Sequence, residues 1–262
     1  LRALCVKIFP SKFIRVKNRR ENKMTARTIV IGDIHGCYDE FTALLDKVGA
    51  GERDRIIAVG DLIVKGEQNS AVLDHFMSDA RCASVLGNHD RAILRYWRGK
   101  KKKLSEQQEA CRRELEGGRA RYEAYLNSLP LMLDLGAHLV VHAGLRPSVA
   151  LADQSAKDLT ELRTLGEKRS SPKGTPWYEV YDGEQTVLFG HWPAPTVRRG
   201  TRAIGLDTGC VYGYELTAYI VETGEFVQVR AARAYDEPGK RLRKGKKRLA
   251  ETQAEAMSND EG

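Results

Sequence analysis

Six short apolar runs, each ending at a glycine-bearing turn, constrain this chain more than any other feature: TIVIGD, RIIAVGD, CASVLGNHD, HLVVHAG, TVLFGH and AIGLDTG. Apolar runs closed by glycine read as buried β-strands. Between the early runs the spacing predicts helices over 38–48, 70–78 and, as one long helix, about 105–129, where Leu115, Tyr122, Tyr125, Leu126 and Leu129 recur at helical intervals. Strands alternating with helices imply an α/β domain. The last stretch, LTAYIVETGEFVQVRAA, instead reads as an antiparallel hairpin about a Thr-Gly turn. The mixture suggests two packed sheets with helices outside.

Five of the strand ends carry metal-type donors: Asp33 with His35, Asp61, Asn88 with His89, His142 and His191. Glycine before a donor lets the backbone turn sharply while the donor faces the site. Asp33 and His35, two apart on an extended backbone, are expected on one side, just past a strand end, where open α/β folds keep their sites. A lone histidine on an apolar face is ordinarily a satisfied core residue, and His75 and His138 keep that reading. Repetition at five strand ends sets the others apart. Two carboxylates, one amide and three imidazoles, with His89 left over, match what a pair of divalent ions requires. Two such ions bring four positive charges against two carboxylates. The excess would hold an anionic phosphate and acidify a bridging water.

In this order GDIHG, GDLIVKG, GNHD, HAG and GHW resemble the blocks of the calcineurin-like metallophosphoesterases, over about residues 27–230. Within that family the nearest branch is the symmetrical diadenosine tetraphosphate hydrolases with related bacterial phosphatases, which LDTGCVYGYELTAY resembles in particular. The resemblance implies a four-layer α/β/β/α sandwich, two mixed sheets flanked by helices. It also implies two divalent ions, manganese foremost, with iron, zinc, cobalt or nickel as alternatives. One ion would be held by Asp33, His35 and Asp61, the other by Asp61, Asn88, His142 and His191. His89 would give a proton to the leaving oxygen. The implied activity is symmetrical hydrolysis of dinucleoside polyphosphates, two ADP from diadenosine tetraphosphate. The alternatives are a serine/threonine protein phosphatase and, more distantly, a non-catalytic RNA-binding protein on the same fold.

The departures bear on substrate. Protein serine/threonine phosphatases carry Asp-Arg where this chain has Val64-Lys65, and Arg where it has Leu86. Lys65 can supply a point charge but not the two-pronged fit of arginine. Asp90 is the candidate to orient His89, and Arg163 the candidate phosphate clamp. Asp207 in DTG reads as a supporting or turn residue, since aspartic-protease chemistry needs two such aspartates. Lys100–Lys103 reads as a solvated loop, or as a landing strip for a long polyphosphate.

The net charge of +8 lies in the ends. Residues 1–23 and 239–249 each carry +7, which leaves the body near neutral. The expected organisation is a basic extension over 1–23, the catalytic domain over 24–235 and a charged tail over 236–262. An over-long start, with the working protein beginning near Met24, is favoured over a transit peptide because serine is scarce. The basic runs leave a weak nucleic-acid contact open. Five cysteines form no C-x-x-C framework, which fits a reducing compartment, and no apolar stretch is long enough to span a bilayer. A cytoplasmic protein is expected, and the sequence gives no signal for its oligomeric state.

Overall fold

The computed structural model describes residues 26–237 and the backbone of residues 13–15. The basic run over 239–249 and most of residues 1–23 lie outside the described residues. Eleven strands are described: β1 (Phe13–Arg15), β2 (Thr28–Ile31), β3 (Arg55–Ala58), β4 (Cys82–Ser84), β5 (Met132–Asp134), β6 (His138–Val141), β7 (Thr186–Phe189), β8 (Arg198–Gly200), β9 (Ala203–Gly205), β10 (Glu215–Ile220) and β11 (Glu225–Arg230). They form two mixed sheets, ordered β1-β5-β6-β7-β9-β8 and β11-β10-β2-β3-β4.

Alternation along the strands decides which side chains meet. Val30, Ile57, Val140, Leu188 and Tyr219 point into the layer between the sheets and cluster there with Val59, Val85, Leu133 and Leu206. Their neighbours Ile29, Ile31, Ile56 and Ala58 face outward and pack in the cluster that contains helix residues Phe41, Leu44, Val72, Leu73 and Phe76. The two sheets and their outer helices make the expected four-layer sandwich.

The helices are α1 (Tyr38–Val48), α2 (Asn69–Ser78), α3 (Asn88–Trp97), α4 (Glu106–Leu115), α5 (Arg119–Ser128), α6 (Ala156–Glu161) and α7 (Trp177–Val180). α1 buries Phe41, Leu44, Leu45 and Val48 at helical spacing and ends at Gly49 in the left-handed conformation. It packs on β10 and β11, while α7 packs on β8 and β9 of the other sheet. The long helix expected over 105–129 is two helices. Gly117 and Gly118 interrupt it with a 3₁₀ turn over Glu116–Gly118, because glycine gives a helix little reason to continue. α3 was not expected. It begins at Asn88 and so converts GNHD into the first turn of a helix. No helix among the described residues is long and apolar enough to cross a membrane.

β2, β3 and β4 run parallel in one sheet, and β6, β7 and β9 in the other. Their carboxyl ends therefore open onto one edge of the sandwich. The donors picked out in the sequence all follow these ends.

Candidate metal centre

The site is built on backbone that most residues avoid. His35, Asp61 and His191 have φ of 51°, 49° and 67°, and Val64 and Lys65 have 78° and 81°. A non-glycine residue in the left-handed region is uncommon, and a β-branched one such as Val64 more so. Hydrogen bonds between neighbouring strand ends hold these conformations. His35 N donates to Asp61 O at 2.8 Å, Gly36 N to Leu62 O at 2.9 Å, and Gly190 N to His142 O at 2.8 Å. Val64 N donates to Asn69 Oδ1 at 2.7 Å. Asp33 and His35 do converge, but through a left-handed turn at His35 and not through continued strand geometry.

The donors are close-set. Asp61 Oδ2 lies 3.6 Å from His35 Nε2 and 3.4 Å from His142 Nε2, and Asp33 Oδ2 lies 3.9 Å from His35 Nε2. Asn88 Oδ1 is 2.9 Å from His142 Nε2 and 2.7 Å from His191 Nδ1. His191 N donates to Asp33 Oδ2 at 3.0 Å and to Oδ1 at 3.2 Å. Donor atoms of Asp33, Asp61 and His142 all fall within 4.8 Å of one another, in a buried position.

These residues fit a metal pair on three observations. His142 Nδ1 faces Val59 O at 2.9 Å and His35 Nδ1 faces Ile63 O at 3.3 Å. A backbone carbonyl there fixes the proton on Nδ1 and leaves Nε2 to ligate. His191 Nε2 is buried without a hydrogen-bond partner among the described residues. The Lys65 ammonium sits 3.1 Å from His35 Nε2, a cation standing at the ligand set.

Charge points the same way. Asp33, Asp61 and Asp207 are all buried. Burial and the neighbouring Asp207 push Asp33 well above the usual carboxylate range. Burial alone would lower His142, but the Asp61 carboxylate outweighs it and pushes the imidazole up to about 9. Burial, together with Lys65, drives His35 well down, and burial with Arg163 does the same to His191. Both rings are thus neutral and ready to ligate. Without cations the cluster retains protons on Asp33 and His142; divalent ions would displace them.

Around this core, His89 anchors its backbone N–H on Asp61 Oδ1 at 2.8 Å and sets its ring edge-on to His35 with centroids 5.2 Å apart. Its Nδ1 has no partner among the described residues. Burial lowers it to about 4, against the pull of Asp61 and helped by Lys65 and Lys101. Asp90 does not orient it. The Asp90 carboxylate instead accepts from Leu62 N, Ile63 N and Gly87 N at 3.3, 3.2 and 3.1 Å. It stitches the second block to the start of α3. Arg163 donates from Nη2 to His191 O at 3.0 Å, and its Nε is buried without a partner among the described residues. Arg163 thus reaches the site with donor capacity to spare. Asp207, expected as a supporting or turn residue, follows β9, accepts the Gly209 amide on Oδ1 at 3.1 Å and acts on the neighbouring Asp33. Tyr212, whose ring lies 5.1 Å from Lys65 Nζ, had no sequence signal.

Gly190 and Gly87 leave room that only glycine can. A Cβ on Gly190 would fall 1.9 Å from Asp33 Oδ1, and one on Gly87 2.1 Å from Asp61 Oδ1. Gly190→Ala must therefore displace Asp33, and metal affinity measured by titration calorimetry should drop about 10-fold or more; unchanged affinity would remove Asp33 from the centre. A second expectation concerns pH. The folded value of His142 lies above its unfolded value of about 6.5, so its contribution is complete below that pH and is lost as pH rises through about 9. The metal-stripped protein should lose up to roughly 3 kcal/mol across this window. The Tm gap between metal-loaded and stripped protein should widen correspondingly in a thermal-shift series. A gap that stays flat from pH 6.5 to 9 contradicts the His142–Asp61 pairing.

Comparison with known proteins agrees with this geometry. Residues 26–227 match the family described as calcineurin-like phosphoesterase. Bis(5'-nucleosyl)-tetraphosphatase PrpE (asymmetrical) of Bacillus subtilis is 31% identical over 237 residues, covering 79% of this chain and 96% of its own. The symmetrical bis(5'-nucleosyl)-tetraphosphatase of Neisseria gonorrhoeae is 27% identical, covering 79% of this chain and 96% of its own. A crystal structure of a protein proposed to be a diadenosine tetraphosphatase superposes with a TM-score of 0.68 at 29% identity, covering 84% of this chain and 98% of that one. With the match running through every strand end that supplies a donor, the chain belongs to the calcineurin-like phosphoesterases.

Proposed function

We propose that the chain hydrolyses the phosphoric anhydride chain of dinucleoside polyphosphates, diadenosine tetraphosphate among them, at a two-metal centre. The observation that carries this is the position of Asp61, whose one carboxylate oxygen faces His35 on one side and His142 on the other. Asp33, His35 and Asp61 would hold one ion; Asp61, Asn88, His142 and His191 would hold the other. The donors are oxygen and imidazole nitrogen without sulfur, a set that suits manganese, with iron, zinc, cobalt or nickel as alternatives. The ions would supply Lewis acidity and a nucleophile at neutral pH.

The remaining work falls to side chains. Lys65 is held positive: burial opposes its charge, but Tyr212 and Asp61 favour it and raise its pKa. With Arg163 it offers two cations to the polyphosphate. His89, lowered to about 4 in the free site, is neutral there at pH 7. An anionic phosphate beside the ring favours its charged form. Substrate thus brings its own acid into the protonated state, and His89 then passes the proton to the leaving oxygen.

The names of the similar proteins, borne by enzymes of either cleavage position, support the tetraphosphate as substrate. The resemblance of residues 206–219 to the tetraphosphate hydrolases supports the same substrate, and cleavage into two ADP is the position proposed. The protein-phosphatase reading is weakened by Val64-Lys65 and Leu86, which stand where that branch carries phosphate-gripping arginines and an orienting aspartate. Incubation of the manganese-loaded protein with diadenosine tetraphosphate should give two ADP. ATP with AMP would transfer it to asymmetrical cleavage, and phosphate from a phosphopeptide with no nucleotide product would overturn the proposal. His89→Asn should retain its metal while kcat on the tetraphosphate falls ~10²-fold or more. Loss of metal together with turnover would make His89 a ligand and count against a proton-donor role.

A further inference from the structure

His75 lies outside the strand-end pattern and would be expected to be a satisfied core residue. Its surroundings are otherwise. It sits on α2 with Nε2 buried and without a hydrogen-bond partner among the described residues. One turn later, Asp79 Oδ2 stands 3.8 Å from that nitrogen, too far for a hydrogen bond. Cys82, at the start of β4, completes the group. Donor atoms of His75, Asp79 and Cys82 lie within 4.8 Å of one another.

We propose that His75, Asp79 and Cys82 form a second metal site, apart from the Asp61 centre, that takes one zinc-type divalent ion with water in the fourth position. Ligands of a tetrahedral zinc at about 2.0–2.3 Å lie roughly 3.4–3.7 Å from one another, so the His75–Asp79 pair at 3.8 Å already matches, and Cys82, within 4.8 Å, would close by up to about 1 Å. Carboxylate and thiolate bring two negative charges against the two of the ion in a half-buried place, and the Arg81 guanidinium paired with Asp79 leaves the group one positive charge in excess. The sulfur selects a zinc-type ion over manganese or magnesium.

The groups behind the donors are those that orient metal ligands. The Tyr38 hydroxyl lies 3.3 Å from His75 Nδ1. The Arg81 amide donates to Asp79 Oδ1 at 2.9 Å, Arg81 Nε to both Asp79 oxygens at 3.0 Å, and Nη2 to Oδ2 at 2.6 Å, which fixes the carboxylate; an ion at Oδ2 would take the place of one of these guanidinium contacts. A cleft of about 500 Å³, lined by Tyr38, Asp74, His75, Ser78 and Arg121 among others, reaches His75 on the side of α2. Burial pushes the Cys82 thiol up to about 12, so without a cation it stays protonated and unreactive.

Cobalt(II) distinguishes this site from the Asp61 centre, whose candidate ligands contain no sulfur. Added to manganese-loaded full-length protein, cobalt should produce a saturable thiolate-to-cobalt charge-transfer band at one ion per chain, and zinc should abolish it. The band should persist in Asp61→Asn, disappear in Cys82→Ser, and require at least 10-fold more cobalt in His75→Gln and Asp79→Asn. Hydrolysis by the Cys82→Ser and His75→Gln proteins should stay at the wild-type rate, which reports that both are folded. No band at millimolar cobalt, a band that survives Cys82→Ser, or one indifferent to His75→Gln overturns the site.

Discussion

The Asp61 carboxylate, buried at the end of β3, is 3.6 Å from His35 on its own sheet and 3.4 Å from His142 on the opposite one. Its other oxygen accepts the amide of His89 at the first turn of α3. A buried carboxylate is costly unless it is paired, and here the partners come from both sheets and a helix. The register follows from this. Ile31 opposite Ala58 brings the turns after β2 and β3 side by side, and Val140 opposite Leu188 does the same for β6 and β7. A one-residue slip in any of these pairs would carry a donor to the wrong face.

Presenting donors this way requires unfavourable backbone. Left-handed conformations at His35, Asp61, Val64, Lys65 and His191 cost on the order of 1–3 kcal/mol each. The layer between the sheets offsets them: Val30, Ile57, Val140 and Leu188 are essentially fully buried, and each such side chain contributes about 1.5–3 kcal/mol. Loops alone could not hold these five residues, spread over the turns after β2, β3 and β7, in such conformations. The short rigid strands that lead into each turn can, and the strand ends are where the chemistry gathers.

Much of this was legible in the sequence because strand, glycine and donor are adjacent there. GDIHG and GNHD report the turn and the ligand together. What was not legible depends on contacts between distant segments. Asp90 adjoins His89, yet three amides from residues 62, 63 and 87 claim its carboxylate. Tyr212 meets Lys65 across nearly 150 residues of chain. The Gly117-Gly118 pair was visible, but helical spacing on both sides of it masked the break. His75 passed as a core residue because Asp79 and Cys82 give no pattern until α2 and β4 are packed.

The account rests on Asp61 serving two ions at once. The most direct measurement is the number of metal ions per chain, by elemental analysis after equilibrium dialysis against manganese, in the wild type and in Asp61→Asn. The amide keeps the shape and removes the shared negative charge. Two ions per chain in the wild type and fewer than two in the variant are predicted. Two ions in both proteins, held with equal affinity, would contradict a shared carboxylate and with it the two-metal centre described above.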